Sequence, residues 1–167
     1  MMKQTTVHLP EIRLLGICVR TSYLHELEPL KGAIFPCVQR FFHERLFERI
    51  PHRKKPGTTI CAYTEYESDY RGAYTYFIGE EVSSFDLTIP NRFSKLIIPA
   101  QTYVKFTTSP NPMPQVVVEA WKEIWQKTSE ELGGKRSYIT DFEIYDERAA
   151  DHNKIILDVL VGVQIRT

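Results

Sequence analysis

The feature that most constrains the fold is an order of predicted elements that occurs twice. Between residues 12 and 82, and again between residues 100 and 165, strand-type sequence is followed by an amphipathic helix and two further strands. One helix covers only one face of such a sheet, so the halves must associate to bury the rest. The order predicts a single α+β domain over residues 1–167, a tandem β-α-β-β repeat with pseudo-twofold symmetry, antiparallel sheets and a ligand groove between the halves.

The elements of each half follow from residue spacing. In the first half the predicted elements are strands at 12–21, 58–66 and 73–82 and a helix at 33–50. In the second half they are strands at 100–108, 137–146 and 154–165 and a helix at 114–132. Residues 1–11 are predicted to be a short tail leading into a strand, and residues 95–98 a short strand within the connection between the halves.

Composition narrows the class of protein. Lysine plus arginine and aspartate plus glutamate number 21 each, so charge gives no argument for nucleic acid or an anionic membrane. Cys18, Cys37 and Cys61 are isolated, as expected for reduced thiols in a cytoplasmic protein. No run approaches the roughly 18 apolar residues of a membrane helix. No helix-turn-helix fits before residue 12 or after residue 165, so we expect a stand-alone module without direct nucleic-acid binding.

One predicted strand carries an acid whose surroundings decide the function. In the segment 140–146 (TDFEIYD), Phe142 and Ile144 share one face, while Asp141, Glu143 and Tyr145 share the other. If that face is open to solvent, Glu143 is an ordinary exposed acid. If it forms the floor of a groove, Glu143 is a desolvated charge that requires a cation.

Five sequence motifs, in order, resemble the GyrI-like small-molecule-binding domain, the effector-binding domain of AraC-type and MerR-type multidrug regulators. They are Tyr74–Gly79 (YTYFIG), Ile98–Phe106 (IPAQTYVKF), Trp121–Trp125 (WKEIW), Ser137–Tyr145 (SYITDFEIY) and Leu157–Val163 (LDVLVGV). The resemblance spans nearly the whole chain. Gln101 stands where the family usually has Gly, and Gly162 where it has Pro.

The resemblance implies an aromatic groove with an acidic floor that takes up lipophilic, cationic aromatic compounds. Glu143 matches the family's acid, and its implied role is to neutralise the charge of the ligand. The other expected ligand-binding residues are Tyr145, Tyr63, Tyr76, Trp121, Trp125 and Tyr103. Packing between helix and sheet is the alternative for at least one tryptophan, and Asp158 is a further acid that we expect on the face of Glu143.

Enzyme signals are weak. The five histidines are scattered, there is no nucleophile elbow or phosphate loop, and no metal or cofactor is predicted. We therefore expect a binding protein rather than an enzyme, acting as a sensor, a sequestering protein or an effector-binding module. Two alternatives remain open: a hydrolase on the same scaffold that uses Glu143 with a nearby tyrosine, and a gyrase-inhibitor-like module that acts through a protein partner. The sequence does not decide between a monomer and a homodimer.

Overall fold

The computed structural model describes residues 2–28, 30–86 and 89–165. Within these ranges one antiparallel sheet contains the strands β1 Lys3–Leu9, β2 Ile12–Ser22, β3 Thr59–Thr64, β4 Ala73–Glu81, β5 Ser94–Ile98, β6 Gln101–Thr107, β7 Lys135–Arg136, β8 Thr140–Tyr145 and β9 Asp158–Gln164. The helices are α1 Tyr23–Leu27, α2 Ile34–His43, α3 Gln115–Trp125 and α4 Ser129–Leu132, with 3-10 turns at Leu46–Arg49 and Glu147–Ala149. No helix of the described ranges is long and apolar enough to span a membrane.

The strand order is symmetric about the centre of the sheet. It runs β1-β6-β9-β8-β3-β4-β2-β5, and β7 pairs with β9. The two halves join where β3 pairs with β8, from Thr59 opposite Tyr145 to Thr64 opposite Thr140. On either side of this join, β4 and β2 of the first half correspond to β9 and β6 of the second. The predicted α+β class and repeated order are confirmed, and the halves share one continuous sheet.

Each half is preceded in the chain by an edge strand that pairs with the other half, so the two edge strands are exchanged between the halves. β1 pairs with β6 of the second half, and β5 pairs with β2 of the first. Only Pro10 and Glu11 connect β1 to β2, although five strands lie between these two in the sheet. A flat sheet would place them about 29 Å apart at the usual strand spacing, whereas such a linker reaches only about 11 Å. The sheet must therefore curl until its edges approach each other.

The prediction of a tail for the first residues is wrong for Lys3–Leu9. This segment is a strand paired with β6 throughout, from Lys3 opposite Thr107 to Leu9 opposite Gln101. Its first four residues are exposed, as an edge strand allows, so the segment lacks the apolar alternation by which a strand is recognised.

The inner face of the curled sheet encloses a core drawn from both halves. Its buried members are Leu14, Ile60, Ala62, Phe77, Ile98, Tyr103, Phe142 and Leu160. Because side chains alternate along a strand, the residues next to these core members point to the opposite, outer face of the sheet. Glu143 follows Phe142 and therefore lies on the outer face.

The outer face is covered by the helices. α2 packs on first-half strands through Cys37 and Phe41, and α3 packs on second-half strands through Val116, Ala120 and Ile124. The join between β3 and β8 therefore lies at the boundary between these two helix-covered clusters.

Both helices are shorter than the sequence predicts. The first ends at His43, because the chain turns at Arg45, which has a left-handed φ of 49°. The second ends at Trp125, because Thr128 caps a separate short helix through a reciprocal pair of hydrogen bonds with Glu131. Apolar spacing continues across both breaks and does not reveal them.

Two glycines allow β2 and β4 to approach closely. Gly16 lies opposite Gly79, and a Cβ added at Gly79 would lie 2.1 Å from the backbone oxygen of Leu15. Backbone atoms cannot move aside as a flexible side chain can. Glycine is therefore required here for packing between strands.

We expect Gly79→Ala to lower the free energy of unfolding by at least about 2 kcal/mol, because the methyl group must displace the β2 backbone. Urea denaturation followed by circular dichroism measures the change. Gly32→Ala is the matched control, since the atoms nearest to its methyl group would belong to the side chain of Glu26, at 3.3 Å or more, and not to a backbone. Equal stability of the two variants would show that the strands separate at little cost.

Candidate functional site

The centre of the join holds the buried carboxylate of Glu143, a residue that is only 1% exposed. Tyr63 Oη and Trp121 Nε1 both donate hydrogen bonds to Oε2, each at 2.7 Å. Tyr145 Oη donates to Oε1 at 2.8 Å. A carboxylate accepts about four hydrogen bonds, so these donors leave roughly one position unfilled. We call these four residues the Glu143 site.

Strand pairing and helix packing bring the donors together. Glu143 on β8 lies opposite Cys61 on β3. Tyr145 lies two residues after Glu143 on β8, and Tyr63 lies two residues after Cys61 on β3. Both side chains therefore project from the outer face together with the carboxylate. Trp121 reaches the carboxylate from α3, which covers that face. The site is thus built from both halves.

The Glu143 charge is solvated only by neutral groups. No lysine, arginine or histidine nitrogen of the described residues forms an ion pair with it. Burial raises the pKa of the carboxyl above its ordinary value, and the hydrogen bonds from Trp121, Tyr63 and Tyr145 oppose that rise. Within the part of the chain that the structure describes, the site therefore holds a desolvated carboxylate with no cationic partner.

The tyrosines that contact Glu143 remain protonated donors. Burial, followed by the nearby Glu143 charge, raises the pKa of Tyr63 well above its ordinary value. The same two causes raise the pKa of Tyr145. Neither phenol can deprotonate near neutral pH, so both keep an O–H directed at the carboxylate.

Aromatic rings surround Tyr63 on several sides. Its ring centroid lies 5.2 Å from that of Trp121, 5.5 Å from Tyr76 and 5.8 Å from Tyr74. Tyr76 and Tyr74 are buried, so they support Tyr63 from the first-half side. The carboxylate is thereby enclosed in an aromatic, largely apolar setting.

A second aromatic group lies one helical turn further along α3. Trp125 stacks on Tyr70, with centroids 4.9 Å apart and an angle of 14° between the rings. The edge-on ring of Tyr23 meets Trp125 at 5.7 Å. These half-buried rings come from three separate segments: α1, the β3–β4 turn and α3.

Next to the Glu143 site lies a second buried acid, Asp141, with a different set of partners. Arg136 forms an ion pair with it at 2.6 Å, and Tyr66 Oη donates to it at 2.6 Å. The backbone N–H of Gly162 donates to its other oxygen at 2.8 Å. We call Asp141, Arg136 and Tyr66 the Asp141 network, in which the acid is neutralised by a cation.

The structure places six of the seven predicted site residues in three groups. Glu143, Tyr145, Tyr63 and Trp121 meet at one carboxylate. Tyr76 packs behind Tyr63, while Trp125 belongs to the outer aromatic group. Trp121 also belongs to the buried cluster beneath α3, so it both packs and donates.

Two expectations about acids and rings are wrong. Tyr103 does not face the site: it is fully buried on the inner face, edge-on to Phe142, and donates to the carbonyl of Pro99. Asp158 lies opposite Ile144 in the strand pairing and so shares the face away from Glu143, where it pairs with Arg148. In both cases alternation along a paired strand fixes the face.

Sequence reasoning missed several neighbours of the site. They are Tyr74, Tyr66, Tyr70, Tyr23, Tyr138 and Arg136. Only Tyr74 could have been found, because it alternates with Tyr76 on β4. Of the others, Tyr23 begins the short helix α1 and Arg136 lies on the two-residue strand β7, while Tyr66, Tyr70 and Tyr138 lie in loops and turns. None of these segments is long enough for periodicity to indicate the direction of a side chain.

The join is closed over the carboxylate, although the sequence predicts a groove there. A cavity of about 140 Å³ lies elsewhere, between the N-terminal part of α3 and the segment 108–111. In the described ranges no group of three or more His, Cys, Asp or Glu residues could hold a metal ion. The aromatic carboxylate site remains the feature best suited to binding.

Comparison with known proteins identifies the family of this chain. Residues 5–163 match the model of the Cass2 family, described as integron-associated effector binding protein. The chain belongs to the Cass2 family. That description is of a protein that binds an effector, and the fold is that of the GyrI-like effector-binding domains.

Relatives of this Cass2-family chain match it over almost their whole length. YobU of Bacillus subtilis (strain 168), named as a candidate transcriptional regulator, is 28% identical over 158 residues, which are 94% of this chain and 95% of YobU. The integron cassette protein VCH_CASS2 of Vibrio cholerae is 25% identical, with a TM-score of 0.74 and coverage of 96% and 95%. The structure of SAV2435 bound to tetraphenylphosphonium has a TM-score of 0.76 at 16% identity, with coverage of 98% and 94%.

The two buried acids should respond in opposite ways to neutralisation. We expect Glu143→Gln to raise the melting temperature at pH 7, because it removes a desolvated charge and keeps most hydrogen bonds; a gain of about 1 kcal/mol gives roughly 2–4 °C. We expect Asp141→Asn to lower it, because Arg136 would remain buried without its partner. Calorimetry measures both changes.

The pH dependence of the stability change tests whether the charge of Glu143 is its cause. Since the pKa of Glu143 is raised in the folded protein, its charge costs stability above that pKa and nothing below the pKa of the unfolded chain. The advantage of Glu143→Gln should therefore be full above the pKa of Glu143 in the folded protein and vanish below its pKa in the unfolded chain. A loss of stability at pH 7 would mean that the three donors outweigh the cost of burial.

Proposed function

We propose that this protein binds lipophilic organic cations with one positive charge next to the Glu143 carboxylate. The observation that carries the proposal is a fully buried carboxylate with aromatic donors and no cationic partner among the described residues. Such a charge is costly in the free protein and is compensated when a cation arrives.

The aromatic surroundings define the chemistry of the ligand. Tyr63, Tyr145 and Trp121 offer both ring faces and polar edges close to the carboxylate. A ligand with a delocalised charge and flat apolar groups loses little hydration on entry and gains cation–π contact, about 0.5–2 kcal/mol for each ring. Small hydrated cations would lose far more water for the same charge contact.

Entry of the ligand requires movement of side chains. Because Glu143 is covered, a bulky cation reaches it only if at least one donor ring rotates away. Trp125, with Tyr70 and Tyr23, forms the outer layer that such a ligand would pass or rest against. Flat, movable rings impose little shape, and this favours a broad range of ligands over a single one.

The family and fold support the same conclusion. The Cass2 family is described by effector binding, and SAV2435, which has the same fold, was solved with tetraphenylphosphonium. That second likeness is at the level of fold, so the residues of this chain must carry the argument. We further propose a regulatory role in which a separate partner responds to the bound state, in keeping with the name of YobU.

Charge should decide binding when shape is held constant. We expect tetraphenylphosphonium to bind and quench tryptophan fluorescence, and tetraphenylborate, with the same shape and the opposite charge, not to bind. We expect Glu143→Gln to weaken tetraphenylphosphonium binding at least about tenfold, or 1.4 kcal/mol. Glu147→Gln, which neutralises an exposed acid, is the control and should leave the affinity unchanged. Equal binding by wild type and Glu143→Gln would contradict the proposed role of the carboxylate.

Affinity should fall in acid solution. Only ionised Glu143 attracts the ligand, and its pKa in the free protein is raised by burial. The affinity for tetraphenylphosphonium should thus decline as pH falls through that pKa, which lies above the ordinary glutamate value of about 4.3. Calorimetric titration at several pH values tests this, and Glu143→Gln should show a flat profile over the same range. A wild-type profile equally flat down to pH 4.5 would contradict the linkage.

A further inference from the structure

Two buried carboxylates lie side by side on the outer face, and only one is neutralised. Asp141 and Glu143 are two residues apart on β8, so their Cα atoms are separated by about 6.6 Å. Asp141 is 0% exposed and Glu143 is 1% exposed. Asp141 has Arg136 as ion-pair partner at 2.6 Å, whereas Glu143 has only neutral donors within residues 2–28, 30–86 and 89–165. Together, two carboxylates and one guanidinium leave one net negative charge.

Arg136 also lies close to two aromatic rings near the carboxylates. Its guanidinium carbon lies 4.2 Å from the ring centroid of Tyr138 and 5.9 Å from that of Trp121. Trp121 is the residue whose Nε1 donates to Glu143. A cation that contacts both Glu143 and the ring of Trp121 would therefore lie close to a resident positive charge.

The position of Arg136 is fixed by the fold. It lies on β7 opposite Val163 of β9, and its side chain is only 9% exposed. Its Nε has no hydrogen-bond partner among the described residues, so the guanidinium is held by Asp141 and by ring contacts. A buried guanidinium in this setting cannot turn towards water when a second cation approaches.

We propose that the Arg136–Asp141 pair sets the charge selectivity of the site and limits it to ligands with one positive charge. Asp141 would otherwise be a second acceptor within reach of a ligand bound at Glu143. By occupying it, Arg136 removes that acceptor and adds repulsion against a second charge. Arg136 is thus a specificity-determining residue of a site that takes monocations. This inference rests on the proposed function, since it concerns the same site.

A matched pair of dyes tests the proposal. Ethidium and propidium share a phenanthridinium ring, and propidium carries an additional quaternary ammonium group on a propyl chain. We expect the wild type to bind ethidium at least about tenfold more tightly than propidium. In Arg136→Gln, which frees Asp141, the ratio of the two dissociation constants should shift by at least tenfold towards propidium. Dye fluorescence and tryptophan quenching measure both constants.

A double variant separates charge from packing. Arg136→Gln combined with Asp141→Asn removes both members of the pair and again leaves one negative charge, that of Glu143. The preference for ethidium should return in this variant, although the ion pair remains absent. If Arg136 acted only through packing, the single and double variants would share the same ratio, and the inference would be overturned. The double variant also avoids a buried, unpaired Asp141, which protects the test against simple unfolding.

Failure of this inference is distinguishable from failure of the proposed function. If ethidium binds the wild type and Glu143→Gln weakens it, the cation site stands. An unchanged dye ratio in folded Arg136→Gln then overturns the selectivity role of Arg136 alone. If neither dye nor tetraphenylphosphonium binds the wild type, both proposals fall together.

Discussion

A negative charge held by neutral hydrogen-bond donors is the interaction on which the site depends. The three donors to Glu143 come from β3, α3 and β8, so the carboxylate ties the two halves together at their join. The charge of the same carboxylate is costly, because its burial is not compensated by any cation of the described residues. The burial of this charge lowers the stability of the protein without a cation, and a bound cation would offset that cost and so gain affinity. Binding sites commonly lower the stability of a fold in this way.

Much of the fold was predictable because its core elements have strong periodicity. The central strands and both long helices appear where apolar spacing places them, and alternation along 140–146 correctly puts Glu143 and Tyr145 on one face, opposite Phe142. The pairing of β3 with β8, which joins the halves in one sheet where a groove was expected, was not predicted from the repeated order. The acid at the centre of the site was identified from one unusual property, a carboxylate within an aromatic strand.

What the sequence did not reveal depends on contacts between distant segments. β1 has no apolar alternation, and its strand conformation comes from pairing with β6 about a hundred residues later. Tyr103 looked like a site residue, but the face of a strand depends on its register with β9. Arg136 and Tyr70 lie in segments without periodicity, where only the folded chain shows what a side chain contacts. Composition likewise could not show that one of two adjacent acids has a guanidinium partner, whereas the other has only neutral donors among the described residues.

The exchange of edge strands has a consequence for synthesis of the chain. The ribosome makes the first half before the second, yet β2, which pairs with β4 on one side, lacks its outer neighbour until β5 at residues 94–98 has emerged. β1 has no partner before β6 at residues 101–107. The nascent first half therefore exposes a free sheet edge and an unpaired amino-terminal segment while translation continues. An early, independent folding step for that half is disfavoured by this order. The effector site, which needs β3 from the first half and β8 from the second, assembles only when nearly the whole chain is available.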